Sequence, residues 1–337
     1  MDVPDLSRLS LNGRSGEAPA FVRDDLYEER HTGGAGIAIF ATAFIPSGTR
    51  LFCEEALIVI HNEANQTEVF QTVTSLSEKE QRLYWELAAS LKPSKDVAWI
   101  DGLRQWCEGK EESFNSLVEA HEKAWSIYET NRFNMYFPDS DYKLGVFAKC
   151  ARLNHSCAPN VFHRYNHRIG RMTIHALRDI KPGEELNTSY IDICHPTAAR
   201  RQILKKWGFN CQCSACNSPD SSGDFLRKRT EDMLTKIRKY EKQQESRVDQ
   251  SEETDDVKIM GFIEKGMQLM EKQGMEETDT LGYLLSLAIK HGLRLGRVAE
   301  AAQWAERLVV VEKKCLGEDS DEYDAAEELC SAFSQVS

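Results

Sequence analysis

A chain of 337 residues, 41% hydrophobic and 28% charged, can bury a real core and divide into two or three units. Its formal net charge of -12 argues against a sequence-independent grip on nucleic-acid phosphates, which needs clustered Lys and Arg, and suits a basic substrate. Apolar runs such as Ala35 to Phe44 and Leu57 to Ile60 are too short for a bilayer, and Met1 to Asp5 lacks the basic start of a secretion signal, so a soluble protein of the cytoplasm or nucleus is expected.

Residues 1–20 hold few apolar anchors and predict a flexible arm. Gly33, Gly34 and Gly36 form a small-residue loop feeding a strand at Ile37 to Phe40; such a loop lets backbone approach a ligand or another strand closely. Ile45-Pro-Ser-Gly-Thr49 reads as a turn, and Leu51-Phe52 and Ala56 to Ile60 as further strands. From about 61 to 130 the pattern turns helical. Ser77 and Glu80 make a capping box ahead of a stripe of Leu83, Leu87 and Leu91 that Pro93 ends. Phe114, Leu117, Val118, His121, Trp125 and Tyr128 repeat at helical spacing, with His121 expected in the core or at its boundary.

The chain is organised around Ala151-Arg-Leu-Asn-His-Ser-Cys-Ala-Pro-Asn160. An apolar run, Val146-Phe-Ala148, leads in and an extended Val161-Phe162 leads out, while Pro159 forces the preceding backbone out of the helical region. Asn154 to Cys157 should therefore occupy a tight buried crossing. Strands are expected at Arg171 to Ala176 and over Glu184 to Tyr190, separated by a turn at Pro182-Gly183, which means small sheets, not a βαβ array. Thr197 can cap a short helix that Gly208 closes.

The ten Cys show no regular disulfide framework and read as reduced thiols, some bound to metal. Cys211, Cys213 and Cys216, spaced Cys-x-Cys-x-x-Cys, can converge on one tetrahedral zinc ion. A closed site needs a fourth ligand: Cys157 in the crossing is the economical choice and His195 the nearest rival. Beyond Pro219, Phe225 to Tyr240 is a charged helix and Glu245 to Asp256 a polar, acidic linker or solvated helix face. Leu281, Leu284, Leu285 and Ala288, a Gly292 to Gly296 turn, then Val298, Ala301, Ala302, Ala305 and Leu308 make one helical hairpin, read as a lid packed on the rest. The acidic run Glu318 to Glu328 is either solvated or steers a basic substrate.

Taken in order, Gly34-Ala-Gly36, Asn154-His-Ser-Cys157, Gly183-Glu-Glu-Leu-Asn-Thr-Ser-Tyr190 and Cys211-x-Cys-x-x-Cys216 resemble a SET-domain protein lysine methyltransferase with its post-SET zinc segment, over about 25 to 220. The interruption, Thr130-Asn-Arg-Phe133 and the helical C-terminal part are most similar to the SET-and-MYND (SMYD) family and its fungal relatives. The interrupting segment departs from that family: it holds only Cys107 and lacks the Cys/His series of a MYND zinc finger.

The resemblance implies an α+β fold of small sheets with a pseudoknot crossing, a helical insertion, a zinc-binding post-SET segment and a tetratricopeptide-like helical end. The division is an arm at 1–20, SET parts at 21–60 and 131–193, an insertion at 61–130, a post-SET segment at 194–220 and a C-terminal region at 221–337. It implies S-adenosylmethionine as methyl donor, approached by the backbone of Gly34, Ala35 and Gly36, with Asn131, Asn154 and His155 hydrogen-bonding it and Phe209 stacking on adenine. Tyr190 would be the catalytic tyrosine beside the cofactor's methyl, and Phe133 and Trp207 would wall the lysine channel. Zinc would be structural, held by Cys157, Cys211, Cys213 and Cys216. The expected partner is a protein, histone or other, offering a lysine; a monomer with no nucleic-acid or membrane contact is expected. The competing reading is a non-catalytic member of the same fold that binds cofactor or peptide.

Overall fold

The structure, a computed structural model, describes residues 23–33, 36–61, 65–89, 98–106, 111–137, 142–218, 222–245, 255–275 and 278–334. The arm at 1–20, Gly34, Ala35, Leu91, Pro93, Cys107 and most of the acidic linker lie outside the described residues.

Short apolar runs broken by turns give small sheets, as expected. Strands β1 (Tyr27–His31) and β2 (Ile37–Ala41) form an antiparallel pair. β3 (Arg50–Glu54) joins β8 (Val161–Asn166) and β9 (Arg171–Ala176) in the order β3-β9-β8, and β4 (Ile58–His61), β5 (Arg132–Met135) and β6 (Lys143–Val146) pair in the order β4-β6-β5. The last sheet is minimal: β7 (Asn154–His155) runs parallel to β10 (Asn187–Thr188). Ile39, Ile45, Leu51, Phe52, Phe147, Leu153 and Ile174 close one core between these sheets.

Helices α1 (Gln66–Thr74), α2 (Glu78–Trp85), α3 (Ala98–Trp106) and α4 (Glu111–Asn131) lie between β4 and β5 in the chain. Val69, Val73, Tyr84, Ala124, Ile127 and Tyr128 pack on Ile58, Ile60, Leu144 and Val146 of the β4-β6-β5 sheet, so the helices share a core with it. The capping box forms, Ser77 accepting from the Glu80 amide while the Glu80 carboxylate receives the Ser77 amide. The buried stripe differs from the expected one: α2 ends at Trp85, Leu83 is exposed and Tyr84 is sealed, its hydroxyl donating to the Ala124 carbonyl at 2.7 Å. A hydroxyl able to reach a backbone acceptor makes Tyr the inward residue. His121 is buried, stacked on Phe70 at 3.8 Å, as expected of a core histidine.

After β10 come α5 (Thr197–Leu204), the short α6 (Ser214–Asn217), and α7 (Ser222–Glu245), α8 (Asp256–Glu271), α9 (Asp279–Arg294), α10 (Val298–Leu316) and α11 (Asp321–Ser334). Thr197 does not cap α5. It is the first helical residue after Pro196, and the Asp224 carboxylate accepts from both its amide (2.9 Å) and its hydroxyl (2.7 Å), so an acid on α7 closes the helix start. Gly208 does end the segment, at φ 79.

The C-terminal region is larger than the single hairpin expected. Helices α7 to α11 pack in succession, α8 contributing Ile259, Met260, Ile263, Met267 and Met270 to a core with Leu281, Leu284, Leu285, Ala288, Ala301 and Ala305. Gly292 belongs to α9, not to the turn; a Cβ there would meet Trp304 of α10 at 2.7 Å, so the glycine permits close helix packing, and the chain turns at Gly296, φ 73. The acidic run is solvated in part, Glu318, Glu327 and Glu328 being exposed, but others of its acids are paired. Asp319 pairs with Arg50, Glu322 with Arg164 at 3.2 Å, and Asp321 with His167 at 2.7 Å, clamping the start of α11 to β3 and β8. No helix among the described residues is long and apolar enough to cross a membrane.

Candidate active site and thiol cluster

A 3-10 turn at Cys150–Arg152 delivers the chain into β7. The β7–β10 contact is short but locked: the Ser156 amide donates to the Thr188 carbonyl at 2.9 Å, and Asn160 bridges the Glu185 carbonyl (2.9 Å) and the Asn187 amide (2.7 Å). The buried crossing expected around Asn154 to Cys157 is thus present, with every polar reason for its Asn residues on view. Asn154 donates to the Glu185 carboxylate at 2.7 Å. His155 accepts the Tyr190 amide on Nδ1 at 3.0 Å, which leaves Nε2, 3.2 Å from the Cys157 sulfur, as the protonated nitrogen of a neutral ring. Burial draws the His155 pKa down to about 4.

Tyr190 follows β10 directly. Its hydroxyl donates to the Leu153 carbonyl at 2.8 Å, and burial, with Glu185 nearby, pushes the phenol above its ordinary range. Around it the rings of Trp207, His155 and Phe209 lie with centroids at 5.2, 5.3 and 6.4 Å. Trp207 is fixed by its indole N–H on the Thr130 carbonyl at 3.0 Å, and Asn131 by donation to the Ala88 and Ile127 carbonyls at 2.8 and 2.7 Å.

Three spaces meet here. A cavity of about 820 Å³ is lined by Gly36, Asn131, Asn154, His155, Tyr190 and Phe209. Gly36 has φ 75, and a Cβ added to it would meet nothing within 4 Å, so its bare backbone faces open space. A narrower cavity of about 300 Å³ is walled by Phe133, His163, Tyr190 and Trp207. Thr130, Asn131, Ala151, Tyr190 and Trp207 line both. A cleft of about 400 Å³ runs from Tyr190 toward the helical bundle, with Asp192 and Asp279 exposed on its walls and Arg238 3.9 Å from Asp192. A hollow of about 460 Å³ at the bundle seam, around Arg50, His175 and Asp319, contains none of these residues.

Every expected cofactor and channel residue among those described therefore lines one or both of the first two cavities, Phe133 the narrow one only. Sequence reasoning missed His163 and the cleft acids; nothing in strand alternation marks a histidine as facing a cavity.

Beside the junction, the sulfurs of Cys157, Cys211, Cys213 and Cys216 lie within 4.8 Å of one another. Cys157 is 3.9 Å from Cys211 and 3.6 Å from Cys216. Four thiolates at about 2.3 Å from a tetrahedral zinc ion stand about 3.8 Å apart, so the set could hold zinc with little movement. The rival ligand is otherwise engaged: His195 Nδ1 lies 2.5 Å from the Glu231 carboxylate on α7. The hydrogen bond from Cys157 lowers the Cys213 thiol well below its ordinary range, while burial raises that of Cys211. Arg200, wholly buried, points Nη2 at the Cys216 sulfur (3.6 Å), and Arg227 donates to the Cys157 carbonyl (3.2 Å), supplying positive charge beside a cluster that would be anionic with metal bound.

The crossing that joins the Asn-His pair to a tyrosine is matched by a family: residues 36–191 fit the SET domain. This stretch of the chain is a SET domain. The SET region is homologous to histone-lysine N-methyltransferase set5 of Schizosaccharomyces pombe, 30% identical over 184 residues, 54% of this chain and 47% of that protein. It is also homologous to N-lysine methyltransferase SMYD2 of Homo sapiens, 41% identical over 76 residues, 22% of this chain and 17% of that protein. The chain thus spans about half the length of the first relative and less of the second. The crystal structure of the SET domain of LSMT bound to lysine and AdoHcy superposes at a TM-score of 0.39 and 10% identity over 94% of this chain and 88% of that one, a likeness that carries no argument.

Proposed function

We propose that this chain is an S-adenosylmethionine-dependent protein-lysine N-methyltransferase with a structural zinc site. The observation that carries the reading is the meeting of a large polar and aromatic cavity with a narrower one, part aromatic and part polar, at Tyr190, inside a SET domain. The large cavity takes the cofactor: the backbone at Gly36 for its amino-acid end, with Gly34 and Ala35 proposed for the same role from the sequence, Asn131, Asn154 and His155 for its polar groups, Phe209 for its adenine. When bound, S-adenosylmethionine supplies an electrophilic methyl group on a sulfonium sulfur. The narrow cavity, between Phe133 and Trp207, takes the lysine side chain.

No side chain forms a covalent bond in this scheme; the protein aligns amine and methyl and places charge, effects that reach several kcal/mol in a well-oriented pose. The Tyr190 hydroxyl donates its hydrogen bond to the Leu153 carbonyl, so the phenol oxygen offers its lone pairs to the junction, where positive charge gathers. The amine, with a free pKa of about 10.4, must arrive neutral, and the positive charge of the bound sulfonium beside it favours that form.

Cys157, Cys211, Cys213 and Cys216 hold the zinc, tying the segment that carries Trp207 and Phe209 to the crossing that carries His155. The protein acceptor is basic, a histone or another protein, drawn to a chain of net charge -12 and seated along the cleft with Asp192 and Asp279. The SET halves are 21–60 and 131–193, the insertion 61–130, the post-SET segment 194–220 and the bundle 221–337. We place the protein in the cytoplasm or nucleus, as a monomer without nucleic-acid or membrane contacts.

The test is transfer of labelled methyl from S-adenosylmethionine to core histones by the zinc-loaded chain. Wild-type protein should label lysine. Tyr190→Phe should fold and bind cofactor yet turn over roughly tenfold slower or worse, since it loses one oxygen at the reacting centre; full activity in that variant would remove Tyr190 from the mechanism.

A further inference from the structure

The wall of the narrow cavity mixes rings with polar and charged side chains, Glu129, Arg132, Asn134 and Lys206 among them, and one of its polar points is a histidine. His163, in β8, lines that cavity and the cleft toward the bundle, as Ser189 and Tyr190 do. Its ring stands edge-on to Phe133, centroids 5.1 Å apart at 82°. Nδ1 lies 2.7 Å from the Thr188 hydroxyl in the crossing, so the ring is pinned from one side. The two nitrogens of an imidazole point away from each other, which puts Nε2 on the far edge. Among the described residues nothing pairs with Nε2, and it is not one of the polar atoms sealed in the protein without a partner. A half-buried imidazole on the wall of that cavity, with one nitrogen unpaired, is a place for a polar ligand atom.

We propose that His163 orients the target amine: Nδ1–H donates to the Thr188 hydroxyl, and Nε2 accepts one N–H of the substrate lysine beside Tyr190. The inference rests on the methyltransferase reading above. His163 makes and breaks no covalent bond. Holding one N–H fixes the direction of the nitrogen lone pair, which an in-line attack requires. Burial, then Arg164, keep the His163 pKa near 4, so Nε2 stays an acceptor at neutral pH.

Asn and Gln separate the two ends of the ring, because the Asn amide overlays Nδ1 and the Gln amide reaches the position of Nε2. With core histones as acceptor, His163→Gln should keep kcat within about threefold of wild type, whereas His163→Asn, which retains the Thr188 bond, should lose about tenfold in kcat with KM little changed. Equal kcat in the two variants would overturn the proposal. A second measurement needs neither donor nor substrate protein: nitrogen NMR of the full chain labelled at histidine, titrated with n-butylamine as a mimic of the lysine side chain. An unprotonated Nε2 signal, missing in His163→Asn, should shift on titration; a protonated Nε2, or a signal indifferent to the amine, contradicts the assignment. A responsive Nε2 in a chain that methylates no histone would count against the histone methyltransferase reading and leave the amine site standing.

Discussion

Around the crossing, from Leu204 to Cys216, the buried apolar material is little more than Leu204 and the thiols of Cys157, Cys211 and Cys216, with Tyr190, Trp207 and Phe209 half-covered beside them. In the bundle, by contrast, Ile259, Ile263, Met270, Leu281, Leu284, Leu285, Ala288 and Ala305 are all sealed in one continuous core. At about 25 cal/mol per Å² of apolar area, the second region can hold its own shape, whereas the first lacks the side chains to do so and depends on what its sulfurs bind. The region with the weakest core carries the rings of the candidate cofactor site. The thiol cluster and the site form one mechanical unit, and the bundle is another, joined to the sheets by Phe162, Leu177, Ile193 and Cys194, which pack into its core, and by the contacts of Arg50, Arg164, Arg168 and His167 with the acidic run.

Removing the metal should break this contrast most visibly. Structural zinc sites contribute apparent energies of about 10–16 kcal/mol in small peptides, so Cys213→Ser or a strong chelator should release zinc and expose 205–217 to hydrogen exchange. Protection in 279–316 should stay. Normal zinc content in Cys213→Ser would show that Cys213 is no ligand.

The converse change is Leu284→Ala, which empties a fully buried position in the bundle and should cost about 2–5 kcal/mol. A denaturant melt should show that loss while metal content stays constant; loss of zinc in this variant would mean the two regions unfold together.

Acid should act more gently, and on the bundle. Glu241, on α7, meets His291 at 3.0 Å and Lys290 at 2.6 Å, and His291 also reaches Asp256 of α8 at 2.6 Å. Burial alone would raise the Glu241 carboxyl, but the bonds from His291 and Lys290 outweigh it and lower the pKa from 4.5 to about 2. A carboxylate depressed on folding contributes stability that is fully present above pH 4.5 and disappears as pH falls toward 2, no more than roughly 3 kcal/mol here. Glu241→Gln should flatten that part of the acid profile; an unchanged slope would assign the acid sensitivity to other groups.

The parts of the molecule legible in its sequence are those whose chemistry is local. A Pro two residues after Cys157 dictates an extended crossing, Cys-x-Cys-x-x-Cys brings three sulfurs together by spacing alone, and Ser77 with Glu80 caps a helix within one turn. Where a residue's fate depends on a distant partner, pattern was silent or misleading. Leu83 was displaced from the core by Tyr84 because the Ala124 carbonyl lay within reach of the tyrosine hydroxyl. The acidic run looked solvated because its cations sit on β3 and β8, more than 100 residues earlier in the chain. Helix α8 was hidden by methionines, whose apolar stripe follows an acidic stretch, and His163 by a strand in which every residue from Phe162 to Tyr165 is half-buried, leaving no alternation to read.

The most direct test of the central claim is calorimetric titration of the zinc-loaded chain with S-adenosylmethionine and with its demethylated product. Saturable binding at one molecule per chain, weakened by Asn154→Ala and lost on zinc removal, is the predicted result. No binding of either molecule by protein with full zinc content would contradict the cofactor assignment of the large cavity and, with it, the methyltransferase reading.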